Sequence, residues 1–303
     1  MAKKQRRKRV ARPSLAQDPP VPALHAAPEH ASGTLVIIGG NENKKGHRPI
    51  LEDVARRVGR GTLVIATLAS ELPHEQWRTY QRIFKALGIR KIVHLSADSR
   101  DDLLDPRQLR LVDGASVVFF SGGDQLKITR SLGGTAVCDR VRDLYAAGAT
   151  IAGTSSGAAV MSETMMIDGT SEASNANDGS LRMAPGLGLL PGVVIDQHFA
   201  ERGRIGRLLG AVAQNPRLLG LGIDEDTAVI FDGHRECRVM GSGAAYVVDA
   251  RQQTYSNIQT ETGTTTSIHG LIVHVLSDGD RFDLQSREPR PARRRRRPAA
   301  DTP

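Results

Sequence analysis

The sequence predicts an α/β protein: a mainly parallel sheet with helices on both faces. Three observations carry that expectation. Short apolar, β-branched runs recur through the first half of the chain, segments with helical spacing separate them, and several runs end directly in glycine or serine pairs. Strands that are apolar on both faces and alternate with helices belong to parallel sheets covered on both sides. In such sheets ligands gather at the carboxyl ends of the strands.

Taken in order, Leu35-Val36-Ile37-Ile38 reads as the first strand and ends at Gly39-Gly40. Residues 49–58 read as a helix, and Thr62-Leu63-Val64-Ile65-Ala66 as the next strand. Trp77, Tyr80, Ile83 and Leu87 give Glu75–Leu87 helical spacing. Strands follow at Lys91–Leu95 and Ser116–Phe120, the latter running into Ser121-Gly122-Gly123. A helix over 135–147 precedes a short strand at Thr150–Ala152. The pattern then changes. Val193-Val194-Ile195 leads to Asp196-Gln197-His198, and Phe199–Val212 has helical spacing in Ile205, Leu208, Leu209 and Val212. Thr227–Phe231, Cys237–Met240 and Ala244–Val248 read as a meander, residues 252–266 as a polar edge strand or loop, and Leu271–Leu276 as a further strand.

The charge is unevenly placed. Residues 1–32 carry seven Lys and Arg against Asp18 and Glu29, and residues 287–303 carry seven Arg against Glu288 and Asp301. The formal net charge of +8 therefore leaves residues 33–286 at −2, so the basicity belongs to the two ends. Both ends are rich in Pro and Ala and lack apolar periodicity, which predicts disordered tails at 1–32 and 287–303 around a single folded domain at 33–286. Arg293–Arg297 either touches a polyanion such as nucleic acid or solubilises the tail, and no aromatic residue is interleaved for base stacking. No apolar stretch approaches the ~20 residues of a membrane span. Cys138 and Cys237 offer neither a disulfide framework nor metal-ligand spacing, which fits a reducing, cytoplasmic setting. No metal or organic cofactor is expected.

The chemistry centres on Gly153-Thr154-Ser155-Ser156-Gly157. A serine at a tight strand-to-helix turn stands clear of the sheet, with the following N–H and helix N-terminus facing any negative charge that forms beside it. Ser155 is the candidate nucleophile. It needs a base, and the base needs an orienting acid. Of nine histidines, His198 follows a strand end directly and is surrounded by Asp196, Gln197, Arg202, Arg204 and Arg207. Asp224-Glu225-Asp226 lies between two strands, where the acids either form a solvated turn or one turns inward to hold the imidazole. Arg204 and Arg207, three apart on a helical face, suit a substrate carboxylate or pair with neighbouring acids. Asp124 and Gln125 supply recognition or cap a helix, and the N–H groups of Gly123 and Ser156 are oxyanion-hole candidates.

Four motifs together resemble the cyanophycinases, serine peptidases related to the α-aspartyl dipeptidases called peptidase E. They are Val118-Phe119-Phe120-Ser121-Gly122-Gly123-Asp124-Gln125, Gly153-Thr154-Ser155-Ser156-Gly157-Ala158, Asp196–Phe199 through Arg202-Gly203-Arg204, and Gly222-Ile223-Asp224-Glu225. The resemblance spans about residues 33–284. It implies an α/β sandwich like that of class I glutamine amidotransferases, with serine in place of cysteine. It further implies Ser155 as nucleophile, His198 as base, Glu225 as orienting acid, and Gln125, Asp196, Gln197, Arg202, Arg204 and Arg207 as substrate contacts. The substrate so implied is cyanophycin, a poly-aspartate bearing arginine on its β-carboxylates, cut to β-Asp-Arg dipeptides by a homodimer. Two other readings stand beside it: an aspartyl or isoaspartyl dipeptidase, and a nucleic-acid binder acting through its tails.

Overall fold

The structure, a computed structural model, describes residues 33–167, 181–233, 235–258 and 264–292, and the backbone of 176–177. The N-terminal tail and Arg293–Arg297 lie outside the described residues, and with them the possible nucleic-acid contact.

Five strands form the parallel half of a nine-stranded sheet: β1 (Thr34–Ile38), β2 (Thr62–Ala66), β3 (Lys91–Leu95), β4 (Val117–Phe120) and β5 (Thr150–Thr154), side by side in the order β1-β5-β4-β2-β3. Beyond β1 the sheet continues with four antiparallel strands, Thr227–Asp232, Glu236–Gly241, Arg281–Asp283 and Glu288–Arg290. The sheet is therefore mixed rather than mainly parallel. Part of the reason is local: Thr227–Asp232 with Glu236–Gly241, and Arg281–Asp283 with Glu288–Arg290, are hairpins whose short turns permit only antiparallel neighbours, whereas parallel neighbours need a crossover.

Both faces of β1, β2 and β4 are buried, which is why their sequences are nearly unbroken apolar runs, whereas the edge strand β3 keeps Lys91 exposed and His94 half-buried. Val36, Ile38, Leu63, Ile65, Val117 and Phe119 pack on α1 (Pro49–Val58) and α2 (Pro73–Ala86) through Leu51, Val54, Ile83 and Phe84. On the other face, Leu35, Ile37, Val64, Val118, Phe120 and Ile151 share a core with residues of α3 (Pro106–Val112), α4 (Gln125–Leu132) and α5 (Ala136–Ala146). Asp105, Asp124 and Thr135 cap those three helices, each accepting from a backbone N–H of the first turn.

That same core also takes in a second sheet, of Ile272–Leu276, Ala245–Asp249, Leu219–Ile223 and Val193–Gln197 in spatial order. One of its faces gives Ile195, Leu221 and Ile223 to the main core, and the other gives Val194 and Val248 to a cluster with Leu208 and Val212. Those leucine and valine residues belong to α7 (Ile205–Gln214), which follows the four-residue α6 (Ser156–Ala159). The expected helix over Phe199–Val212 is thus shorter at its start. Residues 199–204 turn instead, with Gly203 at φ 58°.

Residues 287–292 belong to the folded body and not to the C-terminal tail. Glu288–Arg290 pairs with Arg281–Asp283, and the Arg287 guanidinium, 9% exposed, reaches Asp249 at 2.6 Å. A buried ion pair and an edge strand are enough to hold a segment whose composition reads as tail. Cys138 and Cys237 are both buried free thiols, and burial pushes the Cys237 thiol up to about 12.

Candidate active site

The carboxyl ends of β1, β4, β5 and Val193–Gln197 meet the Asp224-Glu225-Asp226 turn at one edge, because Thr227–Asp232 starts where the antiparallel β1 ends. Ser155 follows β5 immediately. Its backbone sits at φ 54°, ψ −119°, a conformation that costs a non-glycine residue about 1–3 kcal/mol and survives only when its surroundings hold it. Here Ser155 N–H donates to Ile38 O at 3.0 Å, while Ser155 O accepts from Ala158 and Ala159 of α6. The turn aims the hydroxyl away from the sheet.

His198 Nε2 lies 2.9 Å from Ser155 Oγ, and His198 Nδ1 lies 2.6 Å from Glu225 Oε1. The imidazole therefore bridges serine and carboxylate, through the two nitrogens that such a relay requires. His198 itself is at φ 50°, and its N–H donates to Gly39 O at 2.8 Å. Burial lowers the His198 pKa from its ordinary value, against the pull of the Glu225 hydrogen bond. Glu225 is held below the usual carboxylate range, first by a hydrogen bond from Asn41 and also by His198.

The geometry distinguishes the three acids of the turn. Asp224 accepts from Ala200 N–H at 2.9 Å and Ala244 N–H at 3.1 Å. Asp226 accepts from Asn43 N–H at 2.7 Å and from the Ser242 hydroxyl at 2.8 Å. Glu225 alone of the three faces the imidazole.

Gly122-Gly123 closes the site from β4. A β-carbon on Gly122 would lie 3.2 Å from Ser155 Cβ, and one on Gly123, at φ 146°, would meet Ala69 O at 2.0 Å. Only glycine fits this approach. Ser156 donates its hydroxyl toward Gly123 O and lies 3.0 Å from Gln125 Oε1, while Gln125 Nε2 donates to Met166 O at 2.9 Å. No acceptor among the described residues takes the N–H of Gly123 or Ser156.

The basic cluster is arranged differently from the expectation that Asp196 and Arg207 face substrate. Asp196, 1% exposed, receives Arg207 in a two-point contact, with Nε at 2.6 Å from Oδ2. Arg204 adds a bond at 3.2 Å, and Gln197 N–H another at 2.9 Å. Buried and met by donors from Arg207, Arg204 and its neighbour's backbone, the Asp196 carboxylate is turned into its own cluster, and Arg207 places both its Nε and an Nη on it. Arg204 also donates to Gln197 O and Gln197 Oε1, at 2.5 and 2.8 Å. Burial lowers the Arg204 pKa to about 10, still charged at neutral pH. Arg202 is exposed, and its charge acts on both His198 and Glu225.

Five supporting residues, Asn41, Glu42, Lys44, Tyr80 and Thr154, had no functional role assigned from the sequence. Glu42, buried, accepts from Tyr80 Oη at 2.6 Å and from Thr154 Oγ1 at 2.5 Å, and pairs with Lys44 at 3.1 Å. Asn41 Nδ2 donates to Glu225 Oε2 at 2.7 Å. An acid two residues past a glycine pair was the available signal. Among the described residues no group of three or more His, Cys, Asp or Glu is placed to hold a metal ion, and no helix is long and apolar enough to cross a membrane.

An α/β sheet presenting serine, imidazole and carboxylate in this order defines the class, a serine-type peptidase. The chain belongs to Peptidase family S51, whose profile matches residues 35–238. It is 36% identical to the cyanophycinase of Synechococcus elongatus over 280 residues, covering 91% of this chain and 86% of that protein. It is 37% identical to the cyanophycinase of Trichormus variabilis over 270 residues, covering 88% and 90%. A solved peptidase from an acI-B1 Actinobacterium shares the fold, with a TM-score of 0.61 at 20% identity, over 84% of this chain and 98% of that one.

Proposed function

We propose that the chain is an exopeptidase that hydrolyses cyanophycin to β-Asp-Arg dipeptides, with Ser155 as nucleophile, His198 as general base and Glu225 as orienting acid. The observation that carries the chemistry is the unbroken link from Glu225 through His198 to Ser155 Oγ at a strained strand-to-helix turn. The substrate rests on the likeness to cyanophycinases along nine-tenths of the chain.

Ser155 Oγ attacks a carbonyl between two aspartates as His198 Nε2 takes its proton. The carbonyl oxygen gains the negative charge, and the N–H groups of Gly123 and Ser156 are its donors. One such donor is worth about 10²–10³ in rate. As the C–N bond breaks, His198 returns the proton to the leaving amine, which gives an ester on Ser155. Water, deprotonated by His198, attacks the ester, and the serine is restored. Glu225 holds the Nδ1 proton throughout and stabilises the imidazolium.

Arg202, exposed beside the site, and Arg204 behind it suit the carboxylates of the substrate. Asp196, Gln197 and Arg207 act through Arg204 by fixing its guanidinium, and Gln125 acts through the Gly123 loop. The same proposal takes the layered core as the sandwich of class I glutamine amidotransferases, and places the enzyme as a cytoplasmic homodimer.

Incubation with purified cyanophycin, followed by mass spectrometry of the soluble products, tests the proposal. β-Asp-Arg released by the native chain and absent with Ser155→Ala is the expected result. Hydrolysis of Asp-dipeptides with cyanophycin left intact points to the dipeptidase instead. Turnover by folded Ser155→Ala overturns the nucleophile.

A further inference from the structure

The end of β1 and the loop after it together touch every member of the Ser155–His198–Glu225 set. Ile38 O accepts from Ser155 N–H, Gly39 O from His198 N–H, and Gly40 O from Asp226 N–H, at 3.0, 2.8 and 2.9 Å. Gly40, at φ 111°, leaves room for the His198 ring. Two side chains extend the pattern, Glu42 toward Thr154 and Asn41 toward Glu225.

We propose that Asn41 is a positioning residue for the orienting acid: its side-chain amide holds Glu225 Oε2 so that Oε1 stays aimed at His198 Nδ1. The inference rests on the role proposed for Glu225. The two carboxylate oxygens have separate duties. Oε1 is 2.6 Å from the imidazole, and Oε2 is 2.7 Å from Asn41 Nδ2. A glutamate reaches its partner over one more rotatable bond than an aspartate, and this one is 28% exposed. With a single anchor its carboxylate can rotate and trade the imidazole for water. A second anchor on the other oxygen removes that freedom without adding a charge.

Asn41 is well built for the task. Its left-handed backbone, φ 45°, is a conformation asparagine tolerates better than most residues. The backbone on either side is tied down, by Gly40 O at one end and by Asn43 N–H donating to Asp226 Oδ1 at 2.7 Å on the other. Buried Glu42 anchors the same stretch to Thr154 and Tyr80. The other charged groups facing Glu225 are few. They are His198, Arg202, the neighbouring Asp224 and Asp226, and Glu201, whose carboxylate accepts Glu225 N–H at 3.2 Å. None of these takes Oε2 in a hydrogen bond, so the Asn41 amide is its one fixed side-chain donor among the described residues.

The test uses full-length Asn41→Gly, which permits the left-handed backbone and removes the side-chain amide. Proton NMR reads the low-field resonance of His198 Nδ1–H, assigned by its absence in His198→Ala, and steady-state hydrolysis of cyanophycin gives kcat and KM. The expected outcome is an upfield shift or exchange loss of that resonance, with kcat down about tenfold and KM unchanged. An unshifted resonance overturns the proposal whatever happens to kcat, and so does an unchanged kcat. A failure of the peptidase assignment shows up separately, as turnover by Ser155→Ala, while the resonance still reports on Asn41.

Discussion

A β-carbon on Gly40 would fall 2.3 Å from His198 Cε1 and 2.4 Å from Nε2, the nitrogen that faces Ser155. Non-bonded carbon atoms rest at about 3.5–4.0 Å, so the imidazole has to move for any side chain to fit. Gly40→Ala is accordingly expected to cut kcat at least a hundredfold. The fold, followed by circular dichroism, stays intact. Near-native turnover by this variant would mean that the ring has slack the geometry does not show.

The pH profile follows from the state of His198. The base works only when neutral, so kcat/KM rises with pH as the ring loses its proton. Burial lowers that pKa from its ordinary value of about 6.5, so the acid limb has its midpoint below about 6.5. Glu225 is held low as well, first by the Asn41 hydrogen bond and then by His198, so it loses its proton on the acid side of an ordinary glutamate. A rate profile on a soluble substrate from pH 4 to 8 checks this, and a midpoint at 7 or above contradicts it.

Ser156→Ala separates the two parts of that residue. Its backbone N–H remains, while the hydroxyl that ties the serine turn to Gly123 O and Gln125 is lost. The expected cost is about 1 kcal/mol of stability and less than a tenfold fall in kcat. Urea unfolding and steady-state kinetics on the same preparation measure both. A loss of a thousandfold would give the hydroxyl a direct part in the reaction.

Arg207→Met is expected to destabilise the protein by about 3 kcal/mol, because it leaves the Asp196 charge buried against fewer partners. Replacing both partners, Asp196→Leu with Arg207→Met, recovers much of that loss. A chemical denaturation series reads the difference. Equal losses in the single and double variants would refute the buried-pair account.

How much of this was legible in the sequence depends on where burial leaves a mark. The helix at Pro49–Val58 and the strands at Thr62–Ala66 and Lys91–Leu95 agree with their expected spans, because two-sided burial writes an unbroken apolar run in the inner strand, one-sided burial writes a helical stripe, and the edge strand still carries Ile92, Val93 and Leu95. Ser155 and His198 stood out since each directly follows such a run. The choice among Asp224, Glu225 and Asp226 was not legible, because it depends on which backbone N–H groups the outer two capture from loops 20 or more positions away. Asn41 read as one more turn residue, and its partner is 184 positions distant. Composition also hid Glu288–Arg290, whose proline and two charges suit an edge strand as well as a tail. Asp196 and Arg207 were legible only as an alternative: spacing alone leaves Arg207 free to meet a substrate or a neighbouring acid, and in the fold it pairs with Asp196.

The strand Thr227–Asp232 lies between β1 and Glu236–Gly241, and it delivers the Glu225 turn to the edge where β1 ends. The order of synthesis thereby becomes a timer. A nascent chain can complete β1 to β5 and the serine turn while the ribosome has yet to supply the acid and the strand that carries it. Because this pairing spans nearly two hundred residues, it is also among the contacts with the highest loop-closure cost in the protein. On the mechanism proposed above, the hydrolytic apparatus therefore waits for a strand buried in the middle of the sheet, and it lasts as long as that sheet does.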